Sequence, residues 1–278
     1  MSAVLTAIVP VRRAHPEFLR RAIGSLLDQT RPDWRALVAV HAPERAEVEA
    51  LLPADDRIEL LDDHGGLAAR VNLAMRHAGT EFVAQLNADD RWAPEAVAVL
   101  AEHLRARPDA DFLHTGRVFV DEHDRPLSQP YLPRDDVTLA AFADHAPVKH
   151  LMCWRRELAL RAGGMDESIR HHGPDDFDFP WTMAEHGAVF HAVPEPLYVF
   201  RDHRAGFRLT THVPRTVQER ELRAILRKHG VPRAQARRRI QRARRQYLFQ
   251  SLYRGPLDRL VRERIGLGPR GGAREQYR

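Results

Sequence analysis

The residues best suited to chemistry are Asn87-Ala88-Asp89-Asp90, which follow the apolar run Phe82 to Leu86. A buried strand that ends in adjacent carboxylates carries a cost, because like charges repel and lose hydration unless a cation or hydrogen-bond donors compensate them. A divalent metal is the simplest compensation. Oxygen ligands suit Mg²⁺ or Mn²⁺, and such an ion takes one or two protein carboxylates and leaves positions for phosphate oxygens. The competing reading is structural, with Asp89 and Asp90 leading into a helix at Pro94 and favoured there by its dipole. A second pair, Asp175-Asp176, precedes another helical stretch and can act as its cap or as a chemical group. His203 lies beyond a late apolar run, and Cys153 reads as a small buried hydrophobe.

The elements that must position these residues alternate apolar runs with helical patterns, which predicts an α/β protein with helices on both faces of a sheet. Val4 to Val9 reads as a strand stopped by Pro10. Pro16 then opens a helix with the apolar stripe Phe18, Leu19, Ala22, Ile23, Leu26 and Leu27. Trp34 to Val40 is a second strand, Glu44 to Leu52 a short helix and Arg57 to Leu61 a third strand. Gly65-Gly66 breaks the chain before a helix faced by Leu67, Val71, Ala74, Met75 and Ala78. Three strand-helix units thus precede the acidic cluster, which falls at a strand's carboxyl end, where open α/β sheets place ligands. Further on, the pattern predicts a helix over Pro94 to Arg105 and a strand pair or one bent strand over 112–120. A helix over Arg155 to Ala162 capped by Gly163-Gly164, a helix ending near His186, and two strands over 188–192 and 197–201 complete the reading.

Composition sets the outer limits. The 278 residues, 44% hydrophobic and 29% charged, suffice for one large core with an appendage. The single cysteine excludes an internal disulfide and predicts a reducing, cytoplasmic setting. No apolar run approaches the ~20 residues of a membrane span. The net charge of +5 is unevenly distributed: Arg215 to Arg278 hold 19 Arg and Lys against 5 Asp and Glu, a net +14, which leaves −9 on residues 1–214. This predicts an acidic body over 1–214, a basic helical extension over 215–265 and a disordered tail over 266–278. The extension carries apolar positions Leu222, Ile225, Leu226, Ile240, Tyr247, Leu248 and Leu252. Packing on the body or on a second subunit is its favoured use, ahead of an anionic membrane surface at the inner face, with nucleic acid disfavoured.

In their order the motifs resemble the family 2 glycosyltransferases of the GT-A fold. The strand ending in Pro10 is followed by Ser25-Leu26-Leu27-Asp28-Gln29-Thr30, and Gly65-Gly66 by a helix carrying Ala69, Arg70 and Asn72. Then come Gly79 through Asp90, Gly163-Gly164-Met165-Asp166-Glu167, Asp175-Asp176-Phe177-Asp178 before Trp181, and Leu197-Tyr198-Val199-Phe200-Arg201-Asp202-His203. The resemblance implies a GT-A fold with a Rossmann-like mixed sheet, and transfer of a sugar from a UDP-, GDP- or dTDP-sugar to a small-molecule, glycan or lipid-linked acceptor, with inversion. It implies donor contacts from Pro10, Val11, His41, Arg70, Asn87, Ala88 and Asp89, and a Mn²⁺ or Mg²⁺ ion held by Asp89 and His203. It further implies acceptor contacts from Asp175 and Trp181, and Asp176 as general base.

Two departures stand out. Asn87 replaces the first aspartate of the acidic motif, and the second strand ends in His41-Ala42-Pro43 where the family carries a carboxylate for base and ribose. Two other functions compete: a nucleotidyltransferase, for which no Gly-rich basic loop follows the first strand, and a non-catalytic binding relative.

Overall fold

The computed structural model describes residues 3–13, 15–203 and 213–253. The chain order is β1 (Leu5–Val11), α1 (Pro16–Leu27), β2 (Trp34–His41), α2 (Arg45–Glu49), β3 (Ile58–Asp63), α3 (Leu67–His77), β4 (Phe82–Gln85) and β5 (Arg91–Trp92). It continues with α4 (Ala96–Ala106), β6 (Phe112–Val120), α5 (Leu139–Asp144), β7 (Met152–Arg155), α6 (Arg156–Arg161), α7 (Phe179–Glu185), β8 (Phe190–Arg201), α8 (Arg215–Lys228) and α9 (Arg233–Tyr253). One mixed sheet runs β3-β2-β1-β4-β7-β6-β8-β5. Strands β3, β2, β1 and β4 are parallel, and β7 pairs antiparallel with both β4 and β6.

Strand alternation explains why the first strands read as unbroken apolar runs. Ile8, Leu37 and Ala39 enter one buried cluster with α3, whereas Ala7, Val9, Ala36, Val38 and Val40 enter another with α1 and α4. With both faces covered, each face needs its own apolar set. The stripe on α1 is buried at Phe18, Leu19, Ala22, Ile23 and Leu26. Its last turn fixes the chain that leaves the acidic cluster. Gln29 Nε2 donates to Ala93 O at 2.8 Å, Gln29 Oε1 accepts from Val97 N at 2.9 Å, and Ser25 Oγ accepts from Trp92 N at 3.2 Å.

Several boundaries differ from the sequence reading. β1 is not stopped by Pro10 but runs to Val11, paired with Val40 on β2. The Ile8 carbonyl faces β4, where it accepts from Leu86 N. Pro10, two residues on, faces the same way beyond the end of β4, so no ladder bond is lost. In place of two strands over 188–192 and 197–201 there is one, β8, over Phe190–Arg201, despite Pro194 and Pro196. Its pairing with β6 jumps from Thr115↔Val193 to Arg117↔Tyr198, and the prolines fall in that unpaired interval. Over 112–120 the bent strand is the form adopted. The helix near Phe177 begins as a π-turn over Pro174–Asp178 before α7. β5, β7 and α5 were not read from the sequence.

Helices α8 and α9 pack on the body, with Leu222, Ile225, Leu226 and Ile240 buried in the cluster that holds Phe142, Phe177 and Trp181. Arg244 reaches Glu219 between the two helices at 2.6 Å. The side chains of Tyr247, Leu248 and Leu252, and the segment from Gly266 to Arg278, lie outside the described residues. Among the described residues no helix is long and apolar enough to cross a membrane.

Candidate active site

The chain leaves β4 at Gln85 and turns over Asn87 to Asp90, where Asp90 N donates to Asn87 O at 3.1 Å. The two adjacent carboxylates point in opposite directions. Asp90 is buried and accepts hydrogen bonds from Tyr198 Oη at 2.7 Å and Arg201 N at 2.8 Å, with Asn87 Nδ2 at 3.3 Å. Burial, reinforced by the neighbouring Asp89, pushes its carboxyl up to about 7. Tyr198 Oη in turn accepts from Asn87 N at 3.3 Å, so one buried hydroxyl ties β8 to both ends of the turn.

Asp89 faces outward, its side chain 39% exposed, with Oδ2 at 3.1 Å from His203 Nε2. The His203 ring is buried against Phe18, centroids 4.7 Å apart. Between them Arg201 donates from Nε to Asp89 O at 3.1 Å and pairs with Asp124 at 2.7 Å. Asp124 also receives Arg21 at 2.7 Å and Arg91 at 2.9 Å, which locks β5, β8 and α1 around the turn.

Asp89 and His203 are residue types that would suit a divalent ion. Asp89 Oδ2 and His203 Nε2 stand 3.1 Å apart, close enough that both would reach one ion. Among the described residues no group of three or more His, Cys, Asp or Glu could hold a metal on its own. A carboxylate and an imidazole leave the remaining positions to ligand oxygens and water.

Gln85 joins this turn to the second acidic pair. Its Nε2 donates to Asn87 Oδ1 at 2.9 Å and to Asp175 Oδ2 at 2.8 Å. Asp175 is buried and also lies 3.3 Å from His150 Nε2, whose ring stacks on Tyr198. Burial raises the Asp175 carboxyl, but His150 and Gln85 outweigh it and hold the group below the usual range. Asp176 stays half-buried, with Lys149 and His172 as neighbours. Burial pushes the Lys149 ammonium down to about 8, against the opposing pull of Asp176.

Two expected acceptor contacts are therefore placed elsewhere. Trp181 is in the core, 3% exposed, stacked on His229 at 4.2 Å and on Phe142 at 5.8 Å. The Trp181 indole, on the first turn of α7, faces His229 just past the end of α8. Asp175 turns inward toward Gln85 and His150.

The carboxyl ends of the neighbouring parallel strands β1 and β2 hold the remaining expected residues. Pro10 and Val11 end β1, Val11 with no exposed surface. His41 ends β2 in register with Asp63 of β3. Asp63 Oδ2 accepts from Gly65 N at 2.6 Å and lies 3.8 Å from Arg70 Nη1, which donates to Gly65 O at 2.9 Å. His41 Nδ1 and Arg70 Nε are buried without a hydrogen-bond partner. A carboxylate thus stands beside His41 after all, supplied by the adjacent strand.

Sequence reasoning passed over Gln85, Asp63, Asp124 and His150. Only Asp63 left a signal, as an acid immediately before the Gly65-Gly66 break. Another pairing explains two motifs at once. Asn72 Nδ2 donates to Met165 O at 2.9 Å and to Glu167 Oε1 at 3.0 Å, and Asn72 Oδ1 accepts from Met165 N at 2.8 Å. A Cβ on Gly164, where φ is +72°, would stand 2.5 Å from that Oδ1, so this site needs glycine for conformation and for space.

Comparison with known proteins gives a consistent result. The profile of glycosyl transferase family 2 matches residues 6–158. The O-antigen biosynthesis protein RfbC of Myxococcus xanthus is 26% identical over 209 residues, 73% of this chain but 16% of its own length. The succinoglycan biosynthesis protein ExoW of Rhizobium meliloti is 32% identical over 116 residues, 39% of this chain and 36% of its own. The chain thus spans well under two thirds of these relatives. Among solved structures, S. aureus TarS 1-349 in complex with UDP-GlcNAc superposes with a TM-score of 0.63 at 16% identity, over 82% of this chain and 66% of that one. The mannosyltransferase PcManGT from Pyrobaculum calidifontis, in complex with GDP-Man and Mn²⁺, gives 0.56 at 19% identity, over 87% and 69%.

Proposed function

The chain belongs to glycosyl transferase family 2, and from that premise we propose that it moves a sugar from a nucleotide-diphosphate donor to an acceptor hydroxyl with inversion. The observation that carries this reading is the Gln85 bridge, which sets the Asp89–His203 pair and the Asp175-Asp176 segment on one wall as two separate acidic centres. Inversion calls for this separation, since the leaving diphosphate and the attacking hydroxyl sit on opposite faces of the anomeric carbon.

Asp89 and His203 hold the donor end, where a bound Mn²⁺ or Mg²⁺ ion supplies charge neutralisation for the departing diphosphate. Asp90 takes no ligand role, because its oxygens are already committed to Tyr198, Arg201 and Asn87. Asp176 accepts the proton of the acceptor hydroxyl as that oxygen attacks. Lys149 places a positive charge in the field of that carboxylate. Asn87 and Ala88 line the sugar-diphosphate, while Pro10, Val11, His41, Asp63 and Arg70 form the nucleoside end, with Asp63 in the place of the carboxylate missing from β2.

UDP- and GDP-sugars are the first donors to test, since TarS and PcManGT are solved with UDP-GlcNAc and GDP-Man. Glycan or lipid-linked acceptors accord with the O-antigen and succinoglycan relatives. A thermal-shift panel of UDP, GDP, dTDP and their sugars, with and without Mn²⁺, checks the donor side. Stabilisation by a nucleoside diphosphate only in Mn²⁺ is expected; stabilisation by a nucleoside triphosphate with release of pyrophosphate would favour nucleotidyl transfer instead.

A further inference from the structure

The segment 171–178 carries Asp176, and both of its ends are fastened by the same helix. At the leading end, Glu221 of α8 accepts from His171 N at 2.8 Å and His172 N at 2.9 Å through Oε2, and pairs with His171 Nδ1 at 2.8 Å through Oε1. At the trailing end, Asp178 has no exposed side-chain surface and meets Lys228 Nζ at 2.7 Å and His229 Nε2 at 3.0 Å. Glu221 and Lys228 are seven residues apart, two helical turns, so they share one face of α8 about 10 Å apart. Lys228 also lies 3.2 Å from Asp166, beside the Gly163-Gly164 turn. His229 reaches Glu185 of α7 at 2.9 Å while stacked on Trp181.

The segment between these anchors is not regular helix. It opens at Gly173 with φ of +54°, where a Cβ would stand 2.8 Å from Asp176 Oδ1, and then forms the π-turn. A π-turn is a poor local minimum and persists where its surroundings hold it. Here the surroundings are charged. A carboxylate as deeply buried as Asp178 is costly without partners, and both of these come from the end of α8, the Lys228 ammonium and the His229 ring.

We propose that α8 is a working part of the acceptor side, with Glu221 and the Lys228–His229 pair as positioning residues that hold segment 171–178, and hence Asp176, in place for proton abstraction. The basic extension then completes the site from within the chain. This rests on the assignment of Asp176 as the base.

The test uses the full chain with E221A, K228M and K228R, and compares three readouts: hydrogen–deuterium exchange over 171–178, affinity for UDP and GDP in Mn²⁺, and nucleoside diphosphate release from the nucleotide sugar that the unaltered chain turns over. E221A and K228M are expected to raise exchange over 171–178 about tenfold and to lower release about tenfold or more. Nucleotide affinity should change by less than about twofold, because none of the residues assigned to the donor, on β1, β2, β3, α3, the Asn87 to Asp90 turn and His203, lies within segment 171–178. K228R, which keeps the cation, should retain most of the release. Should E221A not fold, E221Q takes its place. Wild-type exchange and release in both E221A and K228M would overturn the proposal. So would a joint fall of affinity, release and melting temperature in K228M and K228R alike, which would mark a merely structural role. Failure of the underlying assignment would show separately, as undiminished turnover in D176N.

Discussion

His203 Nε2 and Asp89 Oδ2 lie 3.1 Å apart although 114 residues separate them in sequence. The pair forms because β8 carries the chain past the turn, where Arg201 binds both Asp90 and the Asp89 carbonyl, and delivers His203 against Phe18. The carboxylate and the imidazole thus converge on one exposed point.

Removing either ligand should cost metal-dependent affinity. Asp89→Ala is expected to lower the affinity for a nucleoside diphosphate in Mn²⁺ by at least about 100-fold, and His203→Ala by about tenfold. Calorimetric titration with UDP and GDP checks this, and unchanged affinity in Asp89→Ala would remove it from the donor site.

Asp176→Asn keeps the shape of the side chain but cannot take a proton. Turnover should fall by about 10² to 10⁴ while donor binding stays within about twofold. Single-turnover product formation beside a nucleotide titration separates the two effects.

Tyr198→Phe deletes the hydroxyl that donates to Asp90 and accepts from Asn87 N. A loss of about 1–3 kcal/mol in stability is expected, since Asp90 stays buried with one donor fewer. Urea unfolding measures it; a loss within experimental error would mean that the remaining donors suffice.

Asn72→Ala removes three hydrogen bonds and leaves the Met165 N–H and C=O without their buried partner. A destabilisation of about 2–4 kcal/mol should appear in denaturant titration.

The His172 imidazole should leave a mark on acid stability. Burial pushes it down to about 4, whereas in the unfolded chain it titrates near ~6.5. Between these values the unfolded state binds more protons, so this group makes stability fall as pH drops from ~6.5 to ~4. His172→Gln should flatten that part of the profile, and an unchanged slope would show that His172 is not held neutral.

Much of the first half of the fold was legible because each strand and helix carries its own periodicity. β1 to β4 and α1 to α4 fall within a few residues of their expected places. The later half was less legible. β8 hides two prolines opposite a bulge, β7 and β5 are too short to show alternation, and the π-turn before α7 has no pattern of its own. At the candidate site, motif order in the sequence points to Asp89, Asp176 and His203, whereas Gln85, His150 and Asp124 are single polar residues whose partners are distant in sequence.

By itself the sequence determined the alternating order of strands and helices and the position of an acidic turn at the end of a buried strand. Local patterning suffices for both, since an apolar run and its punctuation act over a few residues. Only the tertiary structure decided that Asp90 is buried and Asp89 presented, that Trp181 belongs to the core, and that the basic extension meets segment 171–178. Adjacent aspartates are equivalent until something distinguishes them. What distinguishes them here is Tyr198, Arg201 and His203, brought in from more than a hundred residues away.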